Sequence, residues 1–360
     1  MLNPTTAEAI AQLGQYDAII DARSPAEFAE DHLPGAVNWP VLDDEQRHIV
    51  GTLYVQTGPL AARKVGAAMV ARNIADHLDR WIADKPREWR PLVYCWRGGQ
   101  RSGSLATILD QIGFRTAKLV GGYKGFRAQV RDDLGQWPRR FQFRVLAGRT
   151  GSGKTRLLHA LAAQGAQVLD LEGLACHRGS ILGGWPTQPQ PSQKRFDTLL
   201  WQALAALDAT QPVYVESESR KIGGVQLPQA LIEHMHARAE VLRVEMPDAA
   251  RRELLLQDYQ ALVQDAERLC QLLEGLIDLR GRATVQRWQA QARAGDWPAL
   301  VDAMMAEHYD PLYLRSMDRH YAGFAQAAPV PLADGAPDTL ARAARQLWPA
   351  PEDTRLTPDA

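Results

Sequence analysis

The stretch "FQFRVLAGRTGSGKTRLLHALAAQG" (141–165) leaves this chain little freedom. "GRTGSGKT", Gly148 to Thr155, satisfies G-x-x-x-x-G-K-[ST], with an apolar-rich run before it and a helix-periodic run after it. Strand, glycine loop and helix in that order turn successive backbone N–H groups and a helix N-terminus toward one polyphosphate. Gly148, Gly151, Ser152 and Gly153 build the cradle, Lys154 neutralises the ligand, and Thr155 is available to Mg²⁺. Nothing in the loop separates ATP or GTP from another diphosphate. The runs "AQVLDLEG" (166–173), "QPVYVESES" (211–219) and "EVLRVEMP" (240–247) supply further strands, so an α/β domain with a parallel sheet is expected. "VYVESES" takes the place of a Walker B strand but ends in Glu216 and Glu218 and lacks the usual Asp. A metal there stays open, and nucleotide hydrolysis is not expected.

The chain's 360 residues suffice for two domains. A second alternation of strands and helices precedes the first, through "YDAIIDAR" (16–23), "PLVYCW" (91–96) and "TAKLVGGYKGF" (116–126). Polar "QVRDDLGQWPRR" (129–140), with Gly135 and Pro138 as breakers, separates the two. The expected organisation is an N-terminal α/β domain over 1–134, a linker over 135–140, a P-loop domain with C-terminal helices over 141–330, and a Pro-rich tail over 331–360 that frays at its end, "LWPAPEDTRLTPDA" (347–360).

"YCWRGGQRSGSLA" (94–106) places Cys95 at a strand's C-terminal end, ahead of Gly98, Gly99 and a helix. There a thiol lies among N–H groups near a positive helix dipole, which lowers its pKa. Arg97 adds charge, and Arg101, the sixth residue on, can close over an oxyanion. The plainer reading is a small buried hydrophobe. Cys176 and Cys270 take that plainer reading, Cys270 within the amphipathic "ERLCQLLEGLIDL". Three distant cysteines without a C-x-x-C pair exclude a disulfide framework and a cysteine zinc site, and imply a reducing compartment. There is no signal-like N-terminus and no run long enough to span a bilayer, so a cytoplasmic protein without membrane contact is expected.

Net charge is −1, so a nucleic-acid partner would need a local basic surface. Several stretches offer one. "LDLEGLACHRGS" (169–180) carries Asp170, Glu172, His177 and Arg178; "QPSQKRFD" (190–197) carries Lys194 and Arg195; "ESESRKIGG" (216–224) carries Arg220 and Lys221. These are expected to border the phosphate site, as second-shell or RNA contacts. With Arg139, Arg140, Arg144 and Arg149 they would floor an RNA backbone. Each alone reads equally as a solvated charge.

"IIDARSPAEFAEDHLPGAVNWP" (19–40), with Asp21, Arg23, Glu27, His32, Pro34, Gly35 and Ala36 in order, resembles the N-terminal signature of rhodanese domains. The resemblance implies a persulfide-type chalcogen carrier at Cys95 and a fold-organising ion pair between Asp21 and Arg23. "CWRGGQRS" departs from the common rhodanese loop by one residue, matching a family of cysteine phosphatases instead. Such a loop accommodates a tetrahedral oxyanion and would suit a phosphorylated selenium donor. A rhodanese-like domain fused to a P-loop domain, with "LDLEGLACHRGS", "QPSQKRFD", "VESESRKIG" and "HYDPLYLRS", resembles the tRNA 2-selenouridine synthase family over roughly residues 5–325. The resemblance implies conversion of wobble 2-thiouridine to 2-selenouridine through an S-geranylated intermediate. Its co-substrates would be geranyl diphosphate and selenophosphate, and its partners the tRNA anticodon loop and a selenophosphate-supplying enzyme. The oligomeric state stays open. His308, Tyr309, Tyr313 and Arg315 would contact RNA or else anchor the C-terminal helices. Two rivals remain: a kinase with Asp170 as base and Arg251 and Arg252 as lid arginines, and a phosphatase or nucleotide-regulated binding module.

Overall fold

The computed structural model describes residues 1–185, 188–321 and 323–349, in two compact units. The first comprises Met1–Leu134 and Pro191–Gln202, the second Gly135–Gln190 and Ala203–Ala360.

In the first unit, strands β1 (Ala18–Asp21), β2 (Ala36–Asn38), β3 (Pro91–Tyr94) and β4 (Ala117–Lys118) form a parallel sheet in the order β2-β1-β3-β4. β3 is buried along its whole length, as expected where helices cover both faces. Its register sets Asp21 opposite Tyr94, one residue before Cys95. Ile20, Val93, Cys95, Leu105, Leu109, Trp39 and Trp89 share one core cluster. Helix Gln100–Ile112 follows the Cys95 loop and ends at Gly113 in the left-handed conformation. The segment 191–202 also belongs to this unit, although its sequence lies beyond the P-loop. Trp201 donates its indole N–H to Asp133 at 2.8 Å, and Lys194 pairs with Glu30 at 2.7 Å.

The second unit is built on β5 (Phe143–Ala147), β6 (Gln167–Leu169), β7 (Val213–Glu216), β10 (Glu240–Glu245) and β11 (Ala328–Pro331), parallel in the order β11-β10-β5-β7-β6. A two-stranded ribbon of β8 (Lys221–Ile222) and β9 (Val225–Gln226) follows β7. The chain passes from β5 to one side of the sheet and then returns to the other, so β5 marks the switch point where α/β folds bind ligands. The P-loop leaves the C-terminal end of that strand and enters helix Lys154–Ala163. Helices after residue 248 close a separate apolar cluster around Trp288, with Cys270 inside it as its sequence context implies. Residues 331–347, expected in the tail, are instead part of the P-loop domain's fold. β11 pairs with β10, and helix Pro337–Leu347 buries Leu340, Ala343 and Ala344 in the P-loop domain's core. Pro and Gly punctuate this segment without preventing an apolar stripe at helical spacing. Residues 350–360 lie outside the described residues. Among the described residues no helix is long and apolar enough to cross a membrane.

Candidate functional site

Cys95 is buried at the end of β3, and Ser102 donates its hydroxyl to Sγ at 3.1 Å. The loop behind it is fixed by the turn that starts helix Gly122–Gln136. Tyr123 and Lys124 donate their N–H groups to the carbonyls of Cys95 and Trp96, each at 2.9 Å. That approach requires glycine: Gly122 has φ +55°, and a Cβ there would lie 2.3 Å from the Cys95 carbonyl oxygen. With the carbonyls drawn outward, the N–H groups of Trp96, Arg97, Gly98 and Gly99 have no protein acceptor among the described residues. They are the orphan donors of a loop entering a helix, and they suit an anion.

Arg101 is placed differently from the expectation. Its guanidinium is held by Glu27, Nη1 to Oε2 at 2.5 Å and Nη2 to Oε1 at 3.3 Å. Burial pushes the Glu27 carboxyl up, and its bonds with Arg101 and Ser24 outweigh this, holding it below the usual range. Two of the five guanidinium donors are thereby used, and the rest remain for an oxyanion. Arg97 is exposed. Asp21 and Arg23 form the buried ion pair, at 2.6 Å, with the guanidinium 3.8 Å over the Tyr123 ring.

The P-loop is braced from two helices. Tyr313 accepts the Gly148 N–H at 2.5 Å, while Lys154 donates to the Gly148 carbonyl at 2.6 Å and Thr155 to Glu172 at 3.2 Å. Arg251, wholly buried, donates to the Thr150 carbonyl at 2.8 and 2.9 Å and to Asp310 at 2.5 and 2.9 Å. Arg149 bonds the same Asp310 at 3.0 Å. Arg252 pairs with Asp302 at 2.7 Å. Neither lid arginine of the kinase reading is therefore free to cover ATP: one is a brace and the other is paired. "HYDPLYLRS" likewise supplies Asp310 and Tyr313 to the P-loop, while His308 is buried and bonded to Arg280, and Arg315 is exposed.

A cavity of about 910 Å³ opens over the loop. Asp170, Glu172, Arg178, Glu218 and Arg220 line it together with Lys154 and Thr155. His177, Glu216 and Lys221 do not. His177 bridges to Gly184, Glu216 is buried beneath the floor, and Lys221 is exposed on the β8–β9 ribbon. Lys194 and Arg195, expected at this border, belong to the first unit. Arg144 is committed to Glu240 and Tyr214, and Arg149 to Asp248 and Asp310, so these two members of the expected basic floor are spent on internal pairs, while Arg139 and Arg140 are exposed.

Burial dominates the electrostatics. It pushes the Lys154 amine down against the pull of Glu172, Glu218 and Glu216. It pushes Glu218 up to about 8, reinforced by Glu172, and Glu216 well above the carboxylate range. Neither Glu216 carboxyl oxygen has a partner at hydrogen-bond geometry among the described residues, although Thr155 lies close enough to act on the group. Mg²⁺ fits here only with ligand oxygens completing its shell, because no three acidic, His or Cys side chains gather closely enough among the described residues.

Beside Thr150 lies a second pocket, about 60 Å³, walled by Leu255, Tyr259, Trp297, Leu300, Met304, Met305 and Tyr309 among others. It shares Thr150, Leu255, Tyr259 and Tyr309 with the polar cavity. Residues Met305–Tyr309 of its wall form a π-helical turn, a feature frequent at functional sites. The Trp-, Leu- and Met-containing helices after residue 250, where the sequence places any prenyl pocket, supply most of this wall; sequence inspection missed the roles of Asp310, Arg251 and Glu27. Only Glu27 carried a signal, through its place in the N-terminal signature.

Comparison with known proteins agrees with this architecture. Residues 5–129 match the profile of the rhodanese-like domain and residues 141–280 that of the "tRNA 2-selenouridine synthase AAA domain". The chain is 37% identical over 279 residues to a tRNA 2-selenouridine synthase of Nitrosomonas europaea, covering 76% of this chain and 72% of that one. It is 32% identical over 327 residues to that of Marinobacter nauticus (82% and 87% covered), and 33% identical over 328 residues to that of Hydrogenovibrio crunogenus (84% and 89% covered). Two domains in the same order and these identities over most of both chains lead to one conclusion: the chain belongs to the tRNA 2-selenouridine synthase family.

Proposed function

We propose that this enzyme converts 2-thiouridine of a tRNA anticodon to 2-selenouridine in two steps, S-geranylation at the P-loop followed by selenium exchange supplied through Cys95. The observation that carries the reading is the pairing of a phosphate cradle with an apolar pocket across Thr150. A nucleoside triphosphate has no use for a wall of Leu255, Leu300, Met304 and Met305. A prenyl diphosphate needs both halves, and because the pocket's volume of about 60 Å³ is smaller than a ten-carbon chain, the unbranched methionines must repack to admit it.

In the first step the thiocarbonyl sulfur attacks the allylic carbon, the carbon–oxygen bond to diphosphate breaks, and the uracil N3 proton is lost. Lys154 and the loop N–H groups stabilise the departing charge. Thr155 and Glu172 would hold Mg²⁺, which shields the diphosphate when bound. In the second step selenide attacks C2 and geranylthiol leaves. The Cys95 loop fits cleavage of selenophosphate at phosphorus. The thiolate takes the phosphoryl group and selenide departs with no change of oxidation state, whereas loading selenium onto sulfur with release of phosphate would need an oxidant. The N–H ring and Arg101 suit the phosphoryl oxygens.

The test combines purified enzyme, 2-thiouridine tRNA, Mg²⁺ and geranyl diphosphate without ATP, read by nucleoside mass spectrometry. S-Geranyl-2-thiouridine should form, and selenophosphate should then yield selenouridine. Lys154→Ala should block the first product, and Cys95→Ser only the second. Alkylation that requires ATP and releases ADP in step with product would replace this reading with the ATP-dependent one.

A further inference from the structure

The wall of the P-loop cavity carries polar groups that the diphosphate reading does not use. Tyr321 is 2% exposed, and its hydroxyl has no hydrogen-bond partner among the described residues. It lines the cavity close enough to Tyr313 and Glu218 for both to act on its ionisation. The indole N–H of Trp185, in the same wall, is also buried without a partner among the described residues. Beside Tyr321, His236 and His320 are stacked, with centroids 4.8 Å apart and planes 16° apart, and Tyr321 meets His236 edge-on at 5.0 Å. His320 is the exposed member of the pair. Among the described residues its hydrogen-bond partner is Ser316, at 3.3 Å.

Buried donors without acceptors are rare in folded proteins, and those facing a cavity call for a ligand atom that accepts. A flat imidazole stack beside one such donor, with a second in the wall of the same cavity, matches a splayed-out nucleobase: a π-face for the rings and a carbonyl on the base edge for an O–H or N–H group. A prenyl chain would leave both donors unsatisfied. A diphosphate needs neither a stack nor an indole.

We infer that His320, stacked on His236, together with Tyr321 and Trp185, forms the pocket that receives the target pyrimidine of the RNA. This deepens the proposed function and rests on its reading that a tRNA uridine is alkylated in this cavity. Tyr321 and Trp185 donate to the base's carbonyl edge, and His320 extends the stack. Uracil and 2-thiouracil both present such a carbonyl, so the pocket selects a pyrimidine that can leave its helix or loop stack before it selects sulfur.

The experiment measures binding of the full chain to a fluorescent anticodon stem-loop by anisotropy, with either uridine or an abasic ribose at the target position. Wild type should prefer the uridine hairpin by about tenfold, the scale of one base–aromatic stack. His320→Ala and Tyr321→Phe should each erase most of that preference while leaving affinity for the abasic hairpin unchanged, and His320→Phe should keep it. Full preference retained by His320→Ala and Tyr321→Phe overturns the proposal, while wild-type alkylation of tRNA keeps the proposed function standing. A wild type that binds neither hairpin, with no alkylation of tRNA, removes both. ATP serves as a separate arm. If His320→Ala weakens ATP binding and spares the hairpin preference, the stack serves a free nucleotide and the proposal is wrong.

Discussion

Lys154 sits among three acidic side chains, Glu172, Glu216 and Glu218, an arrangement that looks hostile to a diphosphate until their protonation is considered. Burial pushes Glu216 well above the carboxylate range and sets Glu218 near 8, so at neutral pH neither adds a full negative charge around Lys154. Glu218 holds its proton below about 8 and loses it above, placing a negative charge in the cavity wall. Affinity for geranyl diphosphate, measured calorimetrically at fixed ionic strength, should therefore fall by about tenfold between pH 7 and 9. Glu218→Gln should flatten the profile. A variant that keeps the full decline would assign it to Lys154 instead. At Cys95 the sequence carried most of what matters, because its strand, glycines and helix are contiguous. The partner of Arg101 was harder to see: Glu27 comes from another helix, and an ion pair across the fold leaves no periodic trace.

Helix Asp310–His320 shows why local chemistry can mislead at the scale of an element. Its "HYDPLYLRS" reads as polar and aromatic, the composition of an RNA contact, yet Asp310 and Tyr313 point at the P-loop. The P-loop alone was legible because its cradle is built from consecutive residues, whereas the brace comes from two later helices. Asp310 is the partner that keeps the buried Arg251 guanidinium compensated. Removing one member of a buried pair leaves an uncompensated charge, at a cost of about 3–5 kcal/mol, and the partial exposure of Asp310 favours the lower figure. Asp310→Ala should thus lower the unfolding temperature of the P-loop unit by about 6–12 °C in calorimetry. It should also weaken diphosphate binding, since the Thr150 carbonyl would lose its fixed donor. An unchanged melting temperature would show that Asp248, the other carboxylate on Arg251, suffices.

At the scale of the whole molecule, the order of the two domains and both parallel sheets followed from alternating strands and helices, while the allegiance of residues 191–202 did not. Lying between β6 and β7, that segment reads as an ordinary crossover of the P-loop domain. Its polar side chains decide otherwise. Thr198 donates to the buried Asp31 at 2.9 Å and accepts from Arg127 at 3.2 Å, while Asp197 pairs with Arg127 at 2.7 Å. Tyr123 donates to Asp31 as well, at 2.8 Å. Such complementarity between distant charges has no sequence period and is visible only once the chain is folded. Thr198→Val keeps the shape and deletes both hydrogen bonds, leaving Asp31 and Arg127 short of partners in a dry site, at about 1–3 kcal/mol. Amides of helix Gly122–Gln136, which carries Tyr123 and Arg127, should then exchange with solvent deuterium about tenfold faster, and those of helix Lys154–Ala163 at the wild-type rate. Faster exchange confined to Lys154–Ala163 would return the segment to the P-loop unit, against the division described above.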